Sequence, residues 1–529
     1  MLYIINMRRA RSTIKDSFLT QTTIFMILVF AFIALLPILI DRDFTPSNEL
    51  RYLSIADEAI SKGHILAFTS HGEPYADKPP LFIWIVMLGR LLLGSHSMFF
   101  LSLFSLIPAF IIAIIMDSWC APHLHIKMRS SALMILLSTA MFIGSAIVIR
   151  MDMLMAMFII IALRIFYSME EEGKNRKLYS WLFPFLVFMA IFSKGPIGLL
   201  IPLFSTIVYL IVTKRANHIK IYWGLKSWAV LLILTSIWFI NVYIEGGKDF
   251  IYNQFFHQTV GRAVNSFHHD KPVYFYLISF WYSLAPWSIL IFFSIIYRVR
   301  DKVKYLPIEK FFMTIVVTSF LLLSLISSKL DIYMLPLFPF LIYMSALWMD
   351  KVNFKIKSLS LLIPSILFLV AIVANLYMLK KNHSLMFGLT LPASIVLSIT
   401  GLISITYLWK RKVLLTISTL FLGFYISIFL LGLKITSINR YIGYKDICEE
   451  INYFKNKYDV DGKIYVYKVK KAENMDVYLN DEIISLNEPL YKVLQNKAMI
   501  VLPSDKLPNS LPSRTIIFKN DPFAIIIKR

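Results

Sequence analysis

The chain is dominated by apolar segments that are long enough to cross a lipid bilayer. An α-helix rises about 1.5 Å per residue, so roughly 20 apolar residues span the hydrocarbon core of about 30 Å. Thirteen segments of this kind are predicted along the 529 residues. They cover residues 22–40, 97–116, 129–149, 153–168, 180–193, 195–213, 225–244, 273–297, 311–328, 331–349, 358–379, 386–408 and 413–433. The pattern predicts an α-helical polytopic membrane protein.

A further apolar stretch, Pro80–Leu93, would be only about 21 Å long as a helix, and this length together with the loop charges predicts that it lies at the membrane interface. When it is left out of the spans, seven basic loop clusters fall on one side of the membrane. The positive-inside rule identifies that side as cytoplasmic. The clusters are Arg8–Arg11, Lys127–Arg129, Lys174–Lys177, Lys214–Lys226, Arg298–Lys304, Lys351–Lys357 and Lys410–Lys412. We expect the first span to be retained, because no small-residue cleavage site follows it, and we expect a cytoplasmic N-terminus and a periplasmic C-terminus.

The polar loops 41–96 and 245–272 and the tail from residue 434 are predicted on the outer face. In the first loop, an amphipathic helix is expected to start at Pro46 behind the N-cap Thr45 and to end at Lys62 before Gly63. The tail combines short β-rich runs, such as 463–468, 498–502 and 524–528, with one helical stretch at 446–454 and no catalytic motif. We expect a transmembrane domain over 1–433 and a small C-terminal α/β domain over 434–529.

Composition excludes several classes of protein. Hydrophobic residues make up 58% of the chain and charged residues 16%, which fits a lipid environment rather than an aqueous one. The 2 cysteines lack metal-binding spacing and cannot form a disulfide framework. The net charge of +22 is divided among short loop clusters, which suits anionic membrane lipids as partners and argues against nucleic acid.

Ionisable residues are nearly absent from the spans and collect at their outer ends. A transporter is expected to place such groups near the middle of the bilayer, so the distribution favours an enzyme whose pocket opens at the membrane surface. Transfer from a lipid-linked sugar phosphate requires cations or donors for the departing phosphate and a carboxylate that positions or deprotonates the acceptor. The outer loops offer Lys78, Arg262, Lys329 and Tyr333 for the first role, Glu49, Asp77 and Asp152 for the second, and His257, His268 and His269 as titrating groups.

Structural roles are open for several of these residues. Glu49 could complement the N-terminus of its helix, and Asp152 could pair with Arg150 at a helix entry. Lys194 and Lys329 could be anchors that extend from span ends toward water.

Six strings, in order along residues 20–345, resemble a known family of membrane glycosyltransferases. The strings are Glu49–Tyr52, His71–Trp84, Arg150–Asp152, Ser193–Pro196, His257 with Arg262, and Lys329–Pro336. Together they resemble the ArnT-like aminoarabinose lipid A transferases and the related protein O-mannosyltransferases. The resemblance implies a GT-C fold and a polyprenyl (undecaprenyl) phosphate sugar donor, with Lys78, Arg262 and Tyr333, and also Lys329, at the carrier phosphate.

The resemblance also implies catalytic roles for Glu49 and Asp152, and a divalent metal (Zn, or Mg or Mn) near Asp77 and His257. One position departs from the family, because Asn48 replaces the first acid of an Asp-Glu pair. An amide cannot act as a base, so its role passes to Glu49 or Asp152, or is unnecessary if the acceptor is already anionic.

The sequence therefore predicts a glycosyltransferase of a bacterial inner membrane that acts on the periplasmic face. Lipid A is the expected acceptor, and an envelope glycan or protein hydroxyls are the alternative. A flippase or transporter of lipid-linked sugars is the competing class of function.

Overall fold

The computed structural model describes residues 2–253, 271–349, 351–380, 384–458, 464–479, 481, 483–486, 498–508 and 515–528, with side chains from residue 21 onward except at positions 384, 385, 498 and 528. Most of these residues are helical. The α-helices of eight or more residues up to the middle of the chain are Leu2–Asp41, Glu49–Lys62, Leu81–Leu93, Met98–Cys120, Ile126–Leu137, Ala140–Ile147, Asp152–Glu170, Arg176–Lys194, Ile197–Val212 and Leu225–Tyr252. Those that follow are Phe275–Ser283, Ser288–Arg300, Pro307–Leu325, Phe338–Met349, Phe354–Leu369, Ala371–Lys380, Ser384–Trp409, Val413–Gly432 and Lys445–Tyr458.

The protein is a multi-span membrane protein. Within the described residues, 10 helical segments are long and apolar enough to cross a membrane, and 2 bent helix pairs could each form one more span. These twelve match twelve of the thirteen predicted segments. The remaining segment, predicted at 195–213, forms the 16-residue helix Ile197–Val212, which at about 24 Å is shorter than the others.

The first outer loop contains two helices with clear ends. The amphipathic helix begins at Glu49, three residues later than expected, because residues 46–48 form a turn. It ends where Gly63 adopts a φ of 72°, which glycine tolerates without steric cost. We call Glu49–Lys62 the first-loop helix. The short apolar helix Leu81–Leu93 follows Pro80, as predicted, and ends at Gly94.

The chain divides into two compact units. The first unit comprises residues 1–36, 103–241 and 252–431, and the second comprises 37–102, 242–251 and 432–529. In the first unit, the 19-residue helix Asp152–Glu170 carries a polar cluster at each end. Asp152 belongs to one cluster, and Glu170 belongs to the other. This separation agrees with the two membrane sides that loop charge predicts.

The tail in the second unit contains a five-stranded sheet, and the first loop contains a separate hairpin of β1 (Thr69–Ser70) and β2 (Glu73–Pro74). The strands of the sheet are β3 (Ile464–Tyr467), β4 (Ile483–Leu486), β5 (Ala498–Pro503), β6 (Thr515–Asn520) and β7 (Phe523–Lys528). They lie in the order β4-β3-β5-β7-β6. Strand β3 pairs in parallel with β4 and β5, whereas β7 is antiparallel to β5 and β6. The β-rich runs noted in the sequence are β3, β5 and β7, so the predicted small α/β fold of the tail is confirmed.

Candidate functional site

A buried ion-pair cluster surrounds Asp152 in the first unit. The Asp152 side chain is 1% exposed and forms an ion pair with Lys194, whose side chain is 5% exposed. Arg150 donates from Nε to the other carboxylate oxygen over 2.9 Å. The local pairing with Arg150 that the sequence left open is therefore present, and Lys194 adds a second cation.

A glycine turn brings Lys194 to this position. The helix Arg176–Lys194 ends at Lys194, and Gly195 follows with a φ of 96° and a ψ of −150°, a conformation that side chains with a Cβ rarely adopt. Pro196 then starts the next helix. The Lys194 ammonium lies 4.6 Å from the centre of the Tyr333 ring. Three of the strings singled out in the sequence thus converge, contributing Asp152, Lys194 and Tyr333.

A second lysine of this unit, Lys329, is also buried. Its side chain is 3% exposed, and its ammonium donates to the carbonyl oxygen of Lys271 over 2.9 Å. Neither Lys194 nor Lys329 extends into water, so the interpretation of these residues as membrane-interface anchors is wrong. Beside Lys329, Asp331 accepts hydrogen bonds from Ser279 and Tyr282, which ties the Tyr333 segment to the helix Phe275–Ser283.

In the second unit, Glu49 is held by four hydrogen bonds. Arg42 binds it in a bidentate manner, with donor–acceptor distances of 2.8 and 2.7 Å. The backbone N–H and the hydroxyl of Thr45 donate to Oε2 over 2.7 and 2.9 Å. The Glu49 side chain is 0% exposed and stands in the first turn of its helix. Three of these bonds end on Oε2 and one ends on Oε1, so most of the roughly four lone-pair sites of the carboxylate are engaged within the protein.

Lys78 and Asp77 are neighbours in the first loop and form an ion pair of 3.1 Å, with side chains that are 18% and 15% exposed. Arg51 of the first-loop helix stacks near the ring of Tyr75, 5.6 Å from its centre. Electrostatic attraction from Tyr75, Tyr52 and Asp77 outweighs burial and raises the pKa of Arg51 above its usual value. The loop therefore presents two basic side chains and one carboxylate from a short stretch of chain.

The predicted metal site involves Asp77 and His257. Within the described residues, no group of three or more His, Cys, Asp or Glu side chains is arranged to hold a metal ion. His257 lies outside the described residues, as do Arg262, His268 and His269. Asp77, which faces the Lys78 ammonium, is not part of a metal-ligand cluster in the described chain, and metal binding stays a prediction.

The tail binds the first loop through Asp43. The Asp43 carboxylate accepts hydrogen bonds from the Tyr478 hydroxyl at 2.5 Å and from the backbone N–H of Lys445 at 2.9 Å. Burial raises the pKa of Asp43, although these hydrogen bonds oppose the shift. Asn474 adds a bond from its side chain to the carbonyl oxygen of Pro46 at 2.9 Å. The tail therefore supports the turn that leads to Glu49.

A second connection joins the first-loop hairpin to the tail. His71, at a φ of 55°, forms a 3.2 Å ion pair with Asp476. The hydrogen bond to Asp476 is the main cause of a raised pKa of His71. Ser54 of the first-loop helix also donates to Asp476, over 2.6 Å. His71 opens the string that carries Lys78, so this connection helps to fix the loop that holds the cation.

Sequence reasoning missed three contributors to these groups. Arg42 was not considered, although it binds Glu49 in a bidentate manner. Lys194 was treated as an anchor, although it pairs with Asp152. Asp476 lies in a tail in which no functional motif was recognised. No sequence signal identifies these partners, because each contact joins residues that are not helical neighbours.

Comparisons with known proteins place these observations in context. No protein-family model matches the chain. An uncharacterized protein of Aquifex aeolicus is 25% identical over 335 residues, which cover 62% of this chain and 65% of that protein. Undecaprenyl phosphate-alpha-4-amino-4-deoxy-L-arabinose arabinosyl transferase 1 of Pseudomonas fluorescens is 24% identical over 393 residues, which cover 70% of this chain and 66% of the transferase. The matches span just under two thirds of the length of these relatives.

A solved structure extends the likeness of fold to nearly the whole chain. The crystal structure of ArnT from Cupriavidus metallidurans bound to undecaprenyl phosphate superposes with a TM-score of 0.74 at 17% sequence identity. The alignment covers 95% of this chain and 97% of that ArnT chain. The chain has the ArnT fold, and both the predicted fold class and the predicted resemblance are confirmed.

Proposed function

We propose that this chain, which has the fold of the ArnT glycosyltransferase and resembles arabinosyl transferases in sequence, transfers a sugar from a polyprenyl phosphate carrier to an anionic acceptor. Lipid A or a related envelope component is the proposed acceptor. The observation that carries the proposal is the similarity to the Pseudomonas fluorescens transferase over 393 residues, which cover 70% of this chain. The uncharacterized relative adds no information on the substrate.

The leaving group of this reaction is a polyprenyl phosphate. Cations and hydrogen-bond donors that meet the phosphate as the sugar–oxygen bond breaks stabilise the charge that develops there. We assign this role to Lys78, Arg262 and Tyr333, with Lys329 fixing the segment that carries Tyr333. The hydrogen bond from the Lys329 ammonium to the Lys271 carbonyl oxygen supports that positioning role, because the ammonium binds a group of the protein itself.

The hydrogen bonds and ion pairs of the Glu49 and Asp152 carboxylates support an acceptor that is already ionised. Glu49 has four hydrogen bonds, and each oxygen of Asp152 faces a cation, Lys194 or Arg150. A hydroxyl acceptor needs a base that can take its proton, whereas a phosphate monoester or diester brings its own negative charge. We therefore infer that Glu49 and Asp152 position the site and that the nucleophile is an acceptor phosphate oxygen.

The reaction proposed is an inverting displacement. The acceptor oxygen forms a bond to the anomeric carbon from one face while the bond to the carrier phosphate oxygen breaks on the other. The electron pair of the broken bond remains on polyprenyl phosphate, whose charge Lys78 and Arg262 neutralise. No proton needs to move in the transfer step.

We further propose that the N-terminus is cytoplasmic, that the C-terminus is periplasmic, and that the reaction takes place on the periplasmic face of a bacterial inner membrane. The basic loop clusters support this orientation. The polar groups around Asp152 and around Glu170, which occupy opposite ends of one 19-residue helix, are consistent with it.

The test is transfer by the purified protein in detergent, supplied with a labelled polyprenyl phosphate sugar and with lipid A. We expect labelled lipid A and free polyprenyl phosphate in equal amounts. Lipid A stripped of its phosphates is the matched acceptor, and it should receive no sugar. Transfer to protein hydroxyls would support the alternative acceptor, and movement of an intact donor across vesicles without release of polyprenyl phosphate would overturn the proposal in favour of a flippase.

A further inference from the structure

A cavity of about 400 Å³ lies in the first unit, at the opposite end of the helix Asp152–Glu170 from Asp152. It is formed where the helix Ile197–Val212 ends and the helix Pro307–Leu325 begins. Its size falls within the range of about 300–1,000 Å³ that is usual for ligand sites. The lining residues are Glu171, Tyr209, Val212, Thr213, Lys214, Arg215, Pro307 and Lys310.

The cavity carries an excess of positive charge. Glu171, its one lining carboxylate, forms an ion pair with Arg215 and accepts a hydrogen bond from the Tyr209 hydroxyl at 2.7 Å. Lys214 and Lys310 form no ion pair among the residues that the structure describes. Two ammonium groups thus line one cavity, and their charges are not neutralised by its carboxylate.

The neighbouring surface is apolar. Val212, which lines the cavity, is 62% exposed, and Ile211 beside it is 54% exposed. Both belong to the apolar helix Ile197–Val212 of a membrane protein, so we expect this surface to contact lipid chains rather than water. A ligand that combines an anionic head with an apolar body fits both features, whereas a fully polar anion fits only the cavity.

We propose that this cavity binds the headgroup of an anionic phospholipid from the leaflet next to the basic loops. The phosphodiester oxygens would accept hydrogen bonds from Lys214 and Lys310, and the acyl chains would lie along Ile211 and Val212. Basic pockets between membrane helices are known to bind acidic lipid headgroups. The cavity discriminates against a zwitterionic headgroup, since the two lysines repel a lipid ammonium. This site is separate from the proposed transfer reaction and does not depend on it.

The test uses the full-length protein, purified in non-ionic detergent and depleted of lipid. Phosphatidylglycerol, phosphatidylethanolamine and inorganic phosphate are titrated separately, and bound molecules are counted by native mass spectrometry. We expect one phosphatidylglycerol to bind more tightly than phosphatidylethanolamine. Replacement of both lysines (Lys214→Ala with Lys310→Ala) should weaken that binding by about 10- to 30-fold, which at a factor of ten per 1.4 kcal/mol is about 1.4–2 kcal/mol.

Two further variants make the result specific. Lys302→Ala with Lys304→Ala removes the same charge from exposed lysines outside the cavity lining, and it should leave the affinity for phosphatidylglycerol unchanged. Lys214→Arg with Lys310→Arg keeps the charge and should retain binding, which guards against loss of fold in the alanine pair. Equal affinity of the wild type and the folded alanine pair would overturn the proposal. Binding of inorganic phosphate without phosphatidylglycerol would also overturn it.

Discussion

The Arg42–Glu49 pair yields the sharpest test of how this site works. If Glu49 positions the first loop, it does so through its ion pair with Arg42. Removal of both charges together should then reduce stability and activity less than removal of one charge. If Glu49 is instead the catalytic base, its loss should abolish transfer whatever stands at position 42. The variants Arg42→Gln, Glu49→Gln and the double replacement separate these two roles.

The expected magnitude follows from burial. The Glu49 side chain is 0% exposed and the Arg42 side chain 9% exposed, so either residue left alone is a buried charge without its partner. Breaking a buried pair costs about 3–5 kcal/mol, whereas replacing both partners by neutral residues is often nearly neutral. Arg42→Gln should destabilise the protein most, because it leaves the more deeply buried charge, that of Glu49, without its arginine partner. The double variant should recover most of the loss.

The assay combines thermal unfolding in detergent with transfer of a labelled sugar to lipid A. We expect both single variants to melt below the wild type, with the double variant in between and more active than Arg42→Gln. A double-mutant cycle should give a coupling energy of about 2 kcal/mol or more. A double variant that melts like the wild type but has no activity, matched by a stable and inactive Glu49→Gln, would refute the positioning role.

Three further predictions concern other parts of the molecule. Lys78→Ala should weaken binding of polyprenyl phosphate by about 10- to 100-fold in a titration, because a hydrogen bond to a charged group contributes about 1.5–3 kcal/mol, whereas Lys62→Ala on the first-loop helix should leave the affinity unchanged. Lys194→Met strands a buried carboxylate and should lower the melting temperature more than Lys62→Ala does; equal melting temperatures would contradict the burial of the pair. His71 binds its proton more tightly in the folded than in the unfolded protein, because its pKa is raised by Asp476. The pairing therefore stabilises the folded protein fully at a pH below the unfolded pKa of about 6.5, and this stabilisation is lost as the pH rises through the folded pKa. The difference in melting temperature between wild type and His71→Gln should therefore shrink from about pH 6 to about pH 9, and a difference that stays constant would contradict this linkage.

Much of the fold could be predicted because hydrophobic length and loop charge are strong signals. Twelve predicted spans coincide with segments that the structure marks as able to cross a membrane. The limit of that reasoning is visible at Ile197–Val212, where the apolar run was long enough but Pro196 and the turn at Gly195 delay the start of the helix.

The site was harder to predict because it is held together by contacts between residues that are far apart in the sequence. In addition, one of these residues is buried although its position at the end of a span predicts exposure to water. A lysine at a span end ordinarily extends toward water, but Lys194 is turned inward by the backbone at Gly195 and meets Asp152. Arg42 stands seven residues before Glu49, a spacing that no helical rule predicts. The link between Asp43 and Tyr478 joins positions 435 residues apart.

The central claim, that this protein uses a polyprenyl phosphate sugar to modify an anionic acceptor, is tested most directly by one transfer assay. Purified protein is given a polyprenyl phosphate sugar labelled in the sugar, together with either phosphorylated or dephosphorylated lipid A, and both products are measured over time. We predict that labelled lipid A and free polyprenyl phosphate appear in a one-to-one ratio only with the phosphorylated acceptor. Equal transfer to the dephosphorylated acceptor, or no release of polyprenyl phosphate with either one, would contradict the account.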